Sequence, residues 1–154
     1  LHANKVLVVD GWDTAYTTEF SGGASSEGTR PLVVSYATSP AAEVFFSEGA
    51  LTEPPTGAIT APGMCFRQIE FAGILKGTPN EALAKAFIEF LLSDTFQNDI
   101  PLQMWVFPAS ERATLPQVFR DFAATAQEPA TVPAAAIEQH RERWIQEWTE
   151  AVLR

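Results

Sequence analysis

Residues 30–46, RPLVVSYATSPAAEVFF, join a nearly continuous apolar run to a helical pattern through a short polar turn. The run PLVVSYA is typical of a parallel strand that is buried on both faces. Ser39 and Pro40 then predict the start of a helix, because a serine side chain caps N–H groups well and proline has no N–H to lose. The stretch therefore predicts a β-strand followed by an α-helix.

Other segments repeat this order. KVLVV at residues 5–9 predicts a strand before a helix in TAYTTEFS, and CFRQIEFAGIL predicts a third strand. TPNEALAKAFIEFLLSD predicts a helix capped by Thr78, whereas the next helical turn is expected to break before Pro101. A long terminal helix is predicted in VPAAAIEQHRERWIQEWTEAVLR, with Trp144 and Trp148 in the core. Strands that alternate with helices predict an α/β fold, in which ligands bind at the carboxyl ends of the strands.

Composition restricts the possible partners. With 46% hydrophobic and 19% charged residues, the chain has the composition of an ordinary globular protein. The net charge is -9 and only ten residues are Lys or Arg, which argues against a nucleic-acid partner because phosphate backbones are bound by basic clusters. An acidic surface is compatible with a small cationic ligand, and solubility alone also produces one. Because LHANKVLVV begins without methionine, we expect a processed product or a cut fragment.

The polar turn after the central strand is the first candidate site. Ser35, Tyr36, Thr38 and Ser39 lie between a predicted strand and a predicted helix, where unpaired N–H groups favour an anion or an oxygen-rich group. A plain capping and turn role fits the same residues. Both interpretations remain open at this point.

No catalytic or metal site assembles from the sequence. His140 is flanked by polar residues on the terminal helix, and Cys65 is the sole cysteine and fits a buried structural thiol. Asp10 and Asp13, around DGWD, are more typical of turns and caps than of metal ligands.

Two tryptophans outside the terminal helix are candidates for recognition. Trp12 and Trp105 lie in loops or at the ends of elements, beside Gly11 and near Pro108. Exposed loop aromatics are common in binding sites, and a tryptophan face attracts cations and flat rings.

Five blocks of the chain, in the order VVDGWDTAY, PLVVSYATSPAAEV, CFRQIEFAG, FLLSDTFQNDIPLQMWVFP and RWIQEWTEAVLR, resemble the second half of the thiamine-binding substrate-binding proteins of bacterial ABC transporters. SYATSP, with the later F-Q-x-x-I-P and W-x-x-P, carries the resemblance most specifically. The resemblance implies an α/β fold, with one lobe of the type II periplasmic-binding-protein fold at residues 1–99. Residues 100–154 are then a crossover segment and C-terminal helices that return toward a missing N-terminal lobe.

The resemblance also implies a function. A protein of this family is not an enzyme; it binds thiamine or a thiamine phosphate in an interlobe cleft and delivers it to ABC permease subunits. We therefore expect a periplasmic or extracellular location, with or without a membrane anchor in a missing N-terminal segment, and no cofactor, metal or nucleic acid. The family's ligand-binding positions correspond here to Trp12, Tyr36, Ala37, Thr38, Ser39 and Trp105.

Other functions are suggested by two positions at which the chain departs from the family, and by other classes of protein that share the implied fold. Ala42 and Met104 stand where the family has tyrosine and asparagine, so a binding protein for another small cation, such as a polyamine, is one alternative. The effector-sensing domain of a transcriptional regulator and an enzyme that reuses the fold are others. The apolar face of the tail, without its other lobe, also predicts self-association of the chain.

Overall fold

The computed structural model describes residues 2–22 and 27–153. These residues are mainly helical and form a 3-10 turn (His2–Asn4), a π-helical segment (Thr14–Glu19) and the α-helices α1 (Ser39–Phe46), α2 (Glu81–Leu91), α3 (Asp94–Met104), α4 (Gln117–Phe122) and α5 (Ala134–Val152). The chain forms two compact units. The first unit comprises Leu1–Ser35, Ala61–Phe66 and Ala126–Arg154, and the second unit comprises Tyr36–Thr60 and Arg67–Thr125.

The predicted α/β fold, one lobe of the type II class, is wrong. In residues 2–22 and 27–153 there is no sheet, and strand pairing is limited to two isolated parallel bridges, Phe20 with Arg30 and Phe66 with Ala130. The run predicted as the central strand has no helix or strand assigned to it, and Val34 is 93% exposed. Strand propensity is realised only when a neighbouring strand supplies hydrogen bonds and one face is buried. Local β-branched composition alone therefore does not produce the predicted sheet.

The helix predictions are confirmed more often than the strand predictions. A helix begins at Ser39 with Pro40 in its first turn, although Thr38 rather than Ser39 occupies the N-cap position. The terminal helix is α5, as predicted. The predicted break before Pro101 is wrong, because α3 continues through this residue to Met104.

The second unit is built from two helix pairs. α1 packs against α4, and α2 packs against α3. Phe119 on α4 and Pro101 on α3 are fully buried. The buried side chain of Gln97 donates to the carbonyl of Leu91 at 2.7 Å and accepts from the N–H of Ser110 at 3.0 Å. A buried amide that is bonded on both sides fixes the segment after α3 to this helix.

The first unit has a small aromatic core. Tyr16 and Phe20 are buried and their ring centroids lie 5.5 Å apart. Trp144 and Trp148 were predicted to be core residues, and this prediction is wrong: both are exposed on α5, Trp148 by 55%. None of the helices in the described ranges is both long and apolar enough to cross a membrane. The domain boundary predicted at residue 99 stays a prediction.

Candidate ligand-binding site

The polar turn lies at the start of α1, in the second unit. The N–H of Ser39 donates to the carbonyl of Tyr36 at 3.0 Å, and the N–H groups of Ala41 and Ala42 both donate to the carbonyl of Thr38, at 3.1 and 3.2 Å. The intervening proline has no N–H. The donors in the first turn of α1 are therefore bonded within the turn, and an anion would have to compete with these carbonyls for them.

Two long-range hydrogen bonds fix the turn inside the second unit. The N–H of Ala124, just after α4, donates to the carbonyl of Ala37 at 3.0 Å. The hydroxyl of Thr38 donates to the carbonyl of Trp105 at 2.7 Å. The structure thus brings together two of the positions that sequence analysis assigned to the ligand, Thr38 and Trp105, although they are far apart in the chain.

Trp105 ends α3 in an unusual backbone conformation. As the C-cap residue it has φ 55° and ψ 36°, in the left-handed region, and its N–H donates to the carbonyl of Pro101 at 3.1 Å. A left-handed residue often ends a helix, but it is usually glycine or asparagine because a side chain is crowded there. This conformation ends α3 at Trp105 and changes the direction of the chain there.

The Trp105 ring belongs to an aromatic cluster. It stacks on Phe119, with centroids 5.6 Å apart and planes 20° apart. Phe45 and Phe46 of α1 lie at 5.3 and 5.2 Å from it in inclined orientations. We call Trp105, Phe45, Phe46 and Phe119 the Trp105 cluster. Its phenylalanines were not predicted from the sequence, because helical spacing indicates which face of α1 or α4 is apolar but not which ring each residue contacts within the unit.

Trp12 and Tyr36 are the more exposed aromatic candidates. Trp12 lies in the first unit, where its ring stacks on Tyr16 at 5.0 Å and its indole N–H donates to the hydroxyl of Ser35 at 2.9 Å. It is 42% exposed, and Tyr36 in the second unit is 64% exposed. Trp12 is therefore the one predicted ligand position that does not lie in the second unit.

The chemistry of the turn and the cluster suits recognition of a flat or cationic molecule. Aromatic faces attract cations and stack on planar rings, and the turn adds hydroxyl and carbonyl oxygens. Within the part of the chain that the structure describes, His, Cys, Asp and Glu side chains form no group of three or more that could hold a metal ion.

Comparison with known proteins gives a consistent result. The chain is similar, over its whole length, to periplasmic binding proteins. In particular it is 33% identical over 154 residues to the thiamine-binding periplasmic proteins of Salmonella typhimurium and Escherichia coli, and 30% identical over 155 residues to that of Brucella suis. These matches cover 100% of the chain and 43% of each relative, so the chain spans less than half the length of the relatives.

The family resemblance inferred from the sequence is thereby confirmed, and the matched share is consistent with one half of such a protein. No protein-family model matches the chain. No solved structure matches it either.

Proposed function

We propose that the chain forms part of the substrate-binding component of a bacterial ABC importer, which binds thiamine or a thiamine phosphate. The observation that carries the proposal is the similarity of the entire chain, at 30 to 33% identity, to relatives from Salmonella, Escherichia and Brucella that are named as thiamine-binding periplasmic proteins. Because these relatives are named for binding, the proposal assigns the chain no catalytic step. ABC permease subunits are the partners that it implies.

The aromatic residues support a ligand of this kind. Thiamine has a flat pyrimidine and a cationic thiazolium ring, both of which are favourable partners for aromatic faces. We propose that Trp12, Tyr36 and Trp105 supply these faces. In the turn that contains Ala37, Thr38 and Ser39, Ala37 and Ser39 are the residues that we propose to face the polar end of the ligand. The net charge of -9 also favours the approach of a cation.

The proposed site includes contacts that lie outside this chain. Since the chain spans 43% of the length of its relatives, we propose that the remaining contacts to the ligand come from the rest of such a protein. A periplasmic or extracellular location is part of the same proposal, in keeping with the names of the relatives.

A calorimetric titration tests the function. The full-length protein that contains this chain is titrated in parallel with thiamine, thiamine monophosphate and spermidine. We expect saturable binding of thiamine or its phosphate and none of spermidine. Binding of spermidine in preference to thiamine would support the polyamine alternative, and a basic helix-turn-helix module in the full-length sequence would support the regulator.

A further inference from the structure

We propose that Thr38 is a positioning residue that holds Trp105, and that it does not itself contact the ligand. This proposal rests on the proposed function in one respect only, that the aromatic ring of Trp105 contacts the ligand. Thr38 is 5% exposed. Its hydroxyl has one proton, and that proton is donated to the carbonyl of Trp105 at 2.7 Å. A hydroxyl whose proton is already used cannot donate to a ligand, and burial of the residue leaves its oxygen little access to a donor on the ligand.

The position of the hydrogen bond explains what it does. The Trp105 carbonyl belongs to a residue in the left-handed region, where a bulky side chain is disfavoured and needs support from its surroundings. Rotation of this residue out of the left-handed region would swing the indole away from Phe119 and carry the carbonyl away from Thr38. The hydrogen bond therefore favours the one backbone conformation in which the ring stacks.

A second hydrogen bond fixes the same turn relative to the segment that follows α4. The carbonyl of Ala37, next to Thr38, accepts from the N–H of Ala124, which lies two residues after the end of α4, the helix that carries Phe119. Adjacent residues of the turn thus hold Trp105 through one hydrogen bond and the segment just after α4 through another. The distance between the indole and the Phe119 ring on which it stacks is set through this turn.

The first test needs no ligand. The chain contains four tryptophans, so labelling with 5-fluorotryptophan gives four fluorine resonances, and Trp105→Phe identifies the one from Trp105. Thr38→Val keeps the shape of the side chain and removes the donor, whereas Thr38→Ser keeps the donor. We expect Thr38→Val to shift or broaden the Trp105 resonance alone, and Thr38→Ser to restore its wild-type position. Thr38→Ala serves as a second variant without the donor if Thr38→Val does not fold.

The second test separates positioning from direct contact with the ligand. In the full-length protein we expect Thr38→Val to weaken thiamine binding about three- to tenfold, as expected for loss of one hydrogen bond. In a Trp105→Ala background the same change should alter affinity less than about twofold, because the residue through which Thr38 acts is gone.

The outcomes are distinct. An unchanged Trp105 resonance in folded variants without the hydroxyl would overturn the proposal, and so would an equal loss of affinity with and without Trp105, which would mean that Thr38 contacts the ligand. A full-length protein that binds no thiamine would contradict the proposed function, while the fluorine spectra would still decide the role of Thr38.

Discussion

Trp12 and Trp105 are buried to different degrees. This difference determines how much their replacement by alanine should lower the stability of the protein. Trp12 is 42% exposed, whereas Trp105 is partly buried against three phenylalanines. In the full-length protein, we expect either change to alanine to weaken thiamine binding by roughly 1 to 3 kcal/mol, because stacked aromatic residues dominate small sites. Trp105→Ala should also lower the free energy of unfolding by about 2 to 4 kcal/mol, and Trp12→Ala by less than about 1 kcal/mol.

Calorimetry and denaturant unfolding measure these two effects separately. Trp148→Ala is the control, since it removes an exposed tryptophan that is not among the proposed ligand positions; its affinity for thiamine should equal that of the wild type. Wild-type affinity in both Trp12→Ala and Trp105→Ala would show that the ligand positions are wrongly assigned.

Gly28 is required by close backbone contact. A Cβ atom built on it would lie 2.5 Å from the carbonyl carbon and oxygen of Glu19, at the end of the π-helical segment. We expect Gly28→Ala to destabilise the protein by about 1 to 3 kcal/mol, because backbone has to move to admit the methyl group. Gly73→Ala is the matched control, since nothing lies within 4 Å of its added Cβ. Equal thermal midpoints for the two variants would contradict this reading of the contact.

At the scale of the elements, local signals predicted helices better than strands. The start of α1 was predictable from Ser39 and Pro40, because capping and proline geometry act within one turn. The segment that contains Val34 was wrongly predicted to be a strand, because a strand depends on a partner elsewhere in the chain. α3 runs through Pro101, where a local rule predicts a break. Pro101 is fully buried inside the second unit, and the rule does not include this tertiary packing.

The candidate site shows the same limit of sequence reasoning. Thr38 and Trp105 were each singled out from the sequence, by the polar turn and by the family resemblance. Their hydrogen bond and the stack on Phe119 were not predictable, because each joins residues from separate helices or turns and leaves no periodic signal. Sequence patterns thus indicated individual positions. The contacts that join these positions became known only from the packing of the second unit.

The self-association predicted from the sequence would involve the exposed apolar residues of α5. Trp144, Ile145 and Trp148 are exposed beside one another, and exposed apolar surface of this kind promotes association. We expect the weight-average mass of the chain to rise with concentration in light scattering, and Trp148→Glu to reduce that rise. Gln139→Glu adds the same charge on the opposite side of α5 by the helical repeat and should leave association unchanged. A strict monomer at all concentrations would contradict the prediction.

The contacts to the ligand are divided between this chain and the rest of the proposed protein. Five of the six positions that the family resemblance assigns to the ligand lie in the second unit, among them Thr38 as a positioning residue, and Trp12 lies in the first. Because the chain spans 43% of the length of its relatives, we expect it to supply only part of the contacts. Affinity for a small ligand falls steeply when part of its surroundings is missing and water is no longer excluded.

The most direct measurement is therefore calorimetry of thiamine with two proteins side by side, the full-length protein and the 154-residue chain alone. We expect saturable binding by the full-length protein, and weak or no binding by the chain. Tight binding by the chain alone would contradict the shared site. A full-length protein without affinity for thiamine or its monophosphate would contradict the central claim that the chain is part of a thiamine-binding protein.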